Sequence, residues 1–237
     1  LDVPSYVKER EESLRVIDGP QEPQGQRNNV MAIHTRYPGC GFEPLAYWTM
    51  LTAGSDTQVC VPSVRWDVDV YYRSEHTIGF SMTCHGAMMQ NAEVQQFDNK
   101  FFGIEAEEAE LIAPYMRIML EVGYETLYRA GHRREELRNW NCGVFVGDSG
   151  SDWDNCVDGC GILKSDNLKW RYGGRERSTA CCRLSHIMGM KGPVSTAETA
   201  CSSSLVACSV AQMTMRQKTE EQATANMSTD LMHGLVI

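Results

Sequence analysis

The sequence predicts an α/β fold in which layers of helices pack against a sheet. Residues 142–147, CGVFVG, are a short apolar run bounded by glycines, which is typical of a buried strand. Residues 114–130 repeat apolar side chains at helical spacing, and a β-type stretch at 194–199, VSTAET, precedes another helical pattern at 202–218. This alternation of helices and strands indicates an α/β sandwich of layers.

The chain begins with a polar segment, residues 1–29, that we expect to be an N-terminal extension or linker. It ends in DGPQEPQGQRNN, whose proline, glycine and amide residues are typical of irregular structure. Within it, residues 6–17 fit a short amphipathic helix. Residues 30–37, VMAIHTRY, are predicted to form the first strand, which Pro38 and Gly39 close.

A first helix is predicted to begin at Pro44, because proline suits the first turn of a helix. Leu45, Trp48 and Leu51 then follow at helical spacing. Residues 54–99 are predicted to be rich in loops, with the aromatic stretch RWDVDVYY as their anchor.

The strongest helix prediction covers residues 114–130, and Gly131 stands where a left-handed cap is expected. A polar connection at 149–176 and a helix at 177–188 are predicted to follow the buried strand. The apolar stripe of the 114–130 helix consists of Met116, Leu120, Tyr124 and Leu127.

The composition excludes several classes of function. The 237 residues are 42% hydrophobic and 22% charged, an ordinary globular mixture that argues against disorder over most of the length. The formal net charge of −9 argues against general binding to nucleic acid or anionic lipid. No apolar run approaches the roughly 20 residues that a membrane helix needs, so no transmembrane segment is expected.

The ten cysteines do not form the pattern of a disulfide framework, since the chain is long and they stand in unlike contexts. We expect mostly reduced thiols and an intracellular, reducing compartment, either the cytoplasm or an organelle such as a plastid. Cys156 and Cys160 are spaced as CxxxC without a second pair or a flanking histidine, so no metal site is predicted.

Cys201 is the residue that points most directly to chemistry. It stands where a β-type stretch gives way to a helix that opens with three serines. Unpaired N–H groups and the positive end of a helix favour a thiolate at such a turn. Spacing alone leaves two interpretations open: a nucleophile, or a small buried apolar residue, which is what free cysteines more often are.

The segment TACSSSLVA around Cys201 resembles the active-site signature of the β-ketoacyl synthases, the condensing enzymes of polyketide and fatty acid synthesis. Seven further segments resemble the same family in the same order, and the match is closest to the modular polyketide type. They are MAIHTRYPG, EPLAYWTMLTAGSD, VPSVRWDVDVYY, FDNKFFGIEAEEAE, MLEVGYETLYRAG, GVFVGDSGSDW and RLSHIMGMKGP.

This resemblance implies a thiolase-like layered fold, with a mixed sheet and helices on both faces. It implies that Cys201 accepts an acyl chain and that its backbone N–H contributes to the oxyanion hole. No bound cofactor is implied, since the substrates would be carried on the phosphopantetheine of an acyl-carrier protein. A homodimer, with its contact near the strand before the nucleophile, is the usual assembly of the family. The supporting site residues would be Thr199, Ala200, Ser202, Ser203 and Ser204.

The sequence departs from the family after Cys201. The family's two histidine motifs, His-Gly-Thr-Gly-Thr and Asn-x-Gly-His, are absent, and His233 is the only histidine in residues 202–237. We therefore expect residues 30–237 to be the N-terminal half of a synthase domain, incomplete as given for decarboxylative condensation. Its partner would then be a second copy or the missing C-terminal half.

Two alternative hypotheses remain. The chain is a catalytically inactive half-synthase that serves as a structural or accessory subunit of a larger assembly, or it is a partner that pairs with an active synthase. The retained Cys201 disfavours the second alternative, because such partners typically lack the cysteine.

Overall fold

The computed structural model describes residues 28–39, 41–159, 179–216 and 233–237, and the described residues from Met31 onwards belong to one compact unit. The predicted helix at 6–17 lies outside the described residues. The described helices are α1 (Pro44–Thr52), α2 (Val68–Tyr71), α3 (Asn91–Gln95), α4 (Asn99–Phe102), α5 (Ala106–Leu111), α6 (Pro114–Arg129), α7 (Trp153–Gly159), α8 (Ala180–Met188) and α9 (Ser203–Arg216). The described strands are β1 (Gln58–Cys60), β2 (His85–Ala87), β3 (Cys142–Gly147), β4 (Val194–Ala197) and β5 (His233–Val236).

The described strands form two sheets. β3 lies between β4 and β5 and is parallel to both, with Val144 opposite Val194 and Leu235. β1 and β2 form a separate antiparallel pair. The run of apolar residues in β3 is buried, as the sequence predicts, because both faces of this central strand are covered.

Helices cover both faces of β3. Val144 and Val146 point into a core that includes Leu120 of α6 and Leu184 of α8. Phe145 points to the other face, where a smaller core joins it to α9. The two faces follow from the alternation of side chains along a strand, and they confirm the predicted α/β class.

Helix α6 confirms the strongest helix prediction. Met116, Leu120 and Leu127 of its stripe are buried. Its end is a Schellman motif, because the N–H of Gly131 donates to the carbonyl of Tyr128 at 3.0 Å and the N–H of His132 donates to that of Leu127 at 3.0 Å. The φ of +98° at Gly131 is the left-handed conformation that this motif requires.

The N-terminus of α6 has no side-chain cap. Ala113 occupies the cap position and is 1% exposed, within the main core. An aspartate or serine at this position would accept a hydrogen bond from a backbone N–H of the first turn. Ala113 contributes the burial of its apolar side chain instead.

The predicted first strand at residues 30–37 is wrong. Tyr37 makes an isolated bridge to Gly41, and residues 30–36 pair with no described strand. The polar side chains of the segment are its anchors. His34 Nε2 lies 2.6 Å from a carboxylate oxygen of Glu125, and Arg36 binds both Glu125 and Glu121 on α6. The alternation of apolar residues at 30–37 therefore does not produce a strand. Ion pairs between this segment and helix α6 hold it in place instead.

Several element bounds also differ from the predictions. The helix predicted at 177–188 begins at Ala180, and the strand predicted at 194–199 ends at Ala197. The polar connection at 149–176 contains the short helix α7, which the sequence pattern did not predict. Helix α1 forms where predicted, but none of its residues is buried.

In the part of the chain that the structure describes, the helices are too short or too polar to cross a membrane.

Candidate functional site

Cys201 lies at the carboxyl end of the parallel sheet, in the turn that joins β4 to α9. This turn is one 3-10 turn, Ala200–Ser202, and α9 begins at the next residue. The Cys201 side chain is exposed. The structure therefore places the thiol at the start of a 14-residue helix and not in a core.

Serine and threonine hydroxyls fix the backbone on both sides of Cys201. Ser203 Oγ accepts a hydrogen bond from the Thr199 N–H at 2.9 Å and donates to the Ala200 carbonyl at 2.7 Å. Ser202 Oγ lies 2.9 Å from both the carbonyl and the hydroxyl of Thr199. Ser203 is buried, so its two bonds are shielded from water. The predicted site residues Thr199, Ala200, Ser202 and Ser203 are thus joined in a single turn.

Ala200 has a φ of +54°, the left-handed conformation that residues with a side chain rarely adopt. The strain at this residue directly precedes the thiol and is held by the Ser203 bond to its carbonyl. No sequence signal predicts this strain, because alanine has no preference for the left-handed region.

The first turn of α9 rests directly on the end of β3. A side chain on Gly147 would place its Cβ 2.4 Å from the Ser204 nitrogen and 2.5 Å from the Ser203 carbonyl carbon. Ala207 and Ala211, which lie one turn apart on α9, are 2% and 1% exposed against Phe145. Glycine and alanine therefore allow the close approach that sets the position of Cys201.

Asp148 is a polar residue of this edge that sequence reasoning missed. Its N–H donates to the Ala197 carbonyl at 3.0 Å, and its Oδ1 accepts from the Gly150 N–H at 2.6 Å. The side chain is buried, and Oδ2 has no hydrogen-bond partner among the described residues. The sequence GDSG does not predict that Asp148 is buried, because an aspartate that follows a strand can equally lie exposed in a loop.

A second cysteine of the sheet shows the opposite environment. Cys142, at the start of β3, is 1% exposed, and burial raises the pKa of its thiol to about 12. Such a thiol remains protonated and inert at neutral pH. Cys201 is exposed at a helix start, so these two cysteines lie in opposite environments.

Other features of the described residues lie away from Cys201. A broad groove of about 890 Å³ along α6 is lined by His34, Arg36 and carboxylates such as Glu121, and none of residues 194–204 contributes to it. Within the described ranges, no group of three or more histidine, cysteine or acidic side chains is arranged to hold a metal ion.

Comparison with known proteins places this geometry in a family. The family model described as the β-ketoacyl synthase N-terminal domain matches residues 27–233. The chain belongs to the β-ketoacyl synthase family. The resemblance to the β-ketoacyl synthases found in the sequence is therefore confirmed.

Curated relatives of this synthase chain include polyketide synthases, so the resemblance to the polyketide type is confirmed as well. It is 34% identical over 196 residues to a phenolphthiocerol/phthiocerol polyketide synthase of Mycobacterium tuberculosis. It is 35% identical over 199 residues to the equisetin synthetase of Fusarium heterosporum. These matches cover 82% and 83% of the chain, and the chain covers 9% and 5% of the two relatives.

Solved ketosynthases share its fold. The ketosynthase from module 6 of the Bacillus subtilis bacillaene synthase aligns with a TM-score of 0.65 at 28% identity, over 78% of this chain and 29% of that one. The oxazolomycin ketosynthase domain of Streptomyces albus aligns with a TM-score of 0.65 at 27% identity, over 79% and 31%. The synthase chain thus has a thiolase-like fold and spans about a third or less of the ketosynthases that it matches.

Proposed function

We propose that this chain performs the acyl-transfer step of a β-ketoacyl synthase in polyketide biosynthesis, with Cys201 as the nucleophile. The observation that carries the proposal is the exposed Cys201 thiol at the start of α9, on a turn fixed by Ser202 and Ser203. The Cys201 sulfur attacks the carbonyl carbon of an acyl thioester on the phosphopantetheine of an acyl-carrier protein. The acyl group passes to Cys201, and the carrier leaves as its free thiol.

The backbone N–H of Cys201 belongs to the first turn of a helix, where N–H groups lack a carbonyl partner within the helix. We assign this N–H to the oxyanion hole, where it stabilises the negative charge that develops on the thioester oxygen. The helix dipole of α9 acts in the same direction, because its positive end lies at the reacting carbon.

The condensation step needs more than these residues supply. In it a malonyl unit on the carrier loses carbon dioxide, and the resulting carbanion attacks the acyl group on Cys201. The two family histidine motifs that assist this step are absent from residues 1–237. We therefore propose only the acyl-loading step for residues 1–237, because carbon–carbon bond formation also needs those histidines. The proposal includes a reducing compartment, since Cys201 must remain a free thiol.

Acyl loading provides the test. We expect the folded protein, incubated with an acyl-loaded carrier protein, to gain the mass of one acyl group, and we expect peptide mapping to place that group on Cys201. A Cys208→Ser variant serves as the matched control, because Cys208 is an exposed thiol on the same helix and should not be needed. A folded protein that gains no acyl group would favour the structural-subunit alternative, and acylation at other thiols would contradict the assigned role.

We also propose that the protein forms a homodimer through β4. This strand has β3 on one side and no described strand on the other, and Val194 on it is 40% exposed. A strand edge of this kind can pair with the same edge of a second copy. Pairing would bury the exposed Val194 and would hold two Cys201 turns near one interface.

A charge on this edge should weaken the dimer. We expect Val194→Glu to raise the dimer dissociation constant by about tenfold or more, because each copy would place an unpaired carboxylate in the interface. Light scattering over a concentration series measures this change. Val59→Glu is the matched control, since Val59 is 47% exposed on β1, in the other sheet. A monomeric wild-type protein, or equal effects of the two variants, would contradict the β4 interface.

A further inference from the structure

A cysteine and a histidine outside the Cys201 turn form a close pair. Cys84 Sγ lies 3.2 Å from Nδ1 of His85, within hydrogen-bond distance for sulfur. Cys84 is partly exposed and His85 is exposed. A reagent in solution can thus reach the thiol, and the imidazole can exchange protons with water.

The backbone on both sides of this pair is fixed. His85 is the first residue of β2 and stands opposite Cys60 of β1, and the Cys84 carbonyl accepts from the Val61 N–H at 3.0 Å. Just before it, Ser81 Oγ accepts from the Thr83 N–H at 3.0 Å. The antiparallel ladder and this turn therefore fix the backbone that carries both groups, and the side chains meet without a ligand.

We propose that Cys84 is a thiol-modification site, activated by His85, that reacts with low-molecular-weight disulfides. With the ring proton on Nε2, Nδ1 accepts the hydrogen bond of the thiol and takes its proton as sulfur attacks. The Cys84 sulfur forms a bond to one sulfur of the disulfide, and the S–S bond of the reagent breaks. The departing thiolate takes up the proton from the imidazolium, so that one disulfide and one thiol give a mixed disulfide and a free thiol.

Three of the seven other described cysteines provide the contrast, and the remaining four, Cys60, Cys156, Cys182 and Cys201, are exposed. Cys142 and Cys181 are buried, which denies them to a reagent in solution. Cys208 is exposed on α9, and no histidine nitrogen of the described residues lies within hydrogen-bond distance of it. Exposure alone therefore predicts a rate at Cys84 no higher than the rate at Cys208, whereas activation by His85 predicts a faster reaction at Cys84.

The experiment measures the rate of mixed-disulfide formation with glutathione disulfide at each cysteine of the native protein, by peptide mass mapping at several pH values. We expect Cys84 to react at least about tenfold faster than Cys208 at neutral pH. A His85→Gln variant should lower the Cys84 rate to that of Cys208 and leave the Cys208 rate unchanged. His85 is exposed, so this variant is expected to fold, and circular dichroism checks that it does.

His76→Gln is the matched control, because His76 is another exposed histidine of the same loop-rich region. It should leave the rate at Cys84 unchanged. Equal native rates at Cys84 and Cys208, or a Cys84 rate that His85→Gln does not lower, would overturn the proposal. Neither outcome depends on acylation of Cys201, so this test and the test of the proposed function are independent.

Discussion

Replacing Gly147 with alanine is expected to remove most acyl loading of Cys201 and to lower the free energy of unfolding by about 1–3 kcal/mol. The added Cβ would lie 2.4 Å from the Ser204 nitrogen and 2.6 Å from its Cα. These are backbone atoms of the first turn of α9, which cannot rotate away as a side-chain end can. The helix start must move, and the thiol that it carries moves with it. Acyl loading and denaturant unfolding measure the two effects.

Gly159→Ala is the matched control for this substitution. Gly159 is the last residue of α7, and a Cβ there meets no described atom within 4 Å. It should leave both acyl loading and stability nearly unchanged. If Gly147→Ala loads Cys201 at the wild-type rate, contact between β3 and α9 does not set the position of the nucleophile.

Alkaline pH is expected to destabilise the protein through Cys142. Burial raises the pKa of this thiol to about 12 in the folded state, from an ordinary value near 9. Below pH 9 the thiol is protonated in both states, and its contribution to stability is fully present. Between pH 9 and 12 the unfolded chain loses the proton and the folded chain keeps it, so stability falls by about 1.4 kcal/mol for each pH unit.

Two variants separate this effect from other alkaline titrations. Denaturant unfolding between pH 8 and 10.5 should show a shallower decline for Cys142→Ala than for the wild type, with a difference of about 2 kcal/mol accumulated over the upper part of the range. Cys208→Ala should follow the wild type, since its thiol is exposed in both states. If stability falls equally steeply with pH in the wild type and in Cys142→Ala, burial does not keep the Cys142 thiol protonated in the folded protein.

The sequence predicted the elements that bury a continuous apolar face. The bounds of β3 and α6 were predicted closely. Val144 and Leu120 belong to apolar runs whose spacing fits a buried strand and an amphipathic helix, respectively. The segment at 30–37 misled the same reasoning, because Met31 and Ile33 are 72% and 60% exposed while Arg36 binds across to α6. The periodicity shows that apolar and polar residues alternate. It does not show whether the apolar or the polar side chains make the tertiary contacts.

The geometry around Cys201 was predicted only in part, and the role of Cys201 as a nucleophile stays a prediction. The motif around Cys201 predicted a thiol between a strand and a helix, and the structure has this arrangement. The left-handed Ala200, the dual role of the Ser203 hydroxyl and the buried Asp148 were not predicted. Ala200 adopts a backbone angle that its residue type does not favour, and the Ser203 bonds are local contacts within that same turn. Asp148 depends on a contact with Ala197, which is distant in the sequence.

The order of strands in the parallel sheet has a consequence for synthesis on the ribosome. The middle strand, β3, pairs with β4 and β5, and His233 stands opposite Cys142, about ninety residues earlier in the chain. As the chain emerges, β3 is made well before either neighbour and keeps two open hydrogen-bonding edges until both have followed. Nascent chains of this protein therefore pass through a period in which they are prone to aggregate, and molecular chaperones are expected to bind them at that stage.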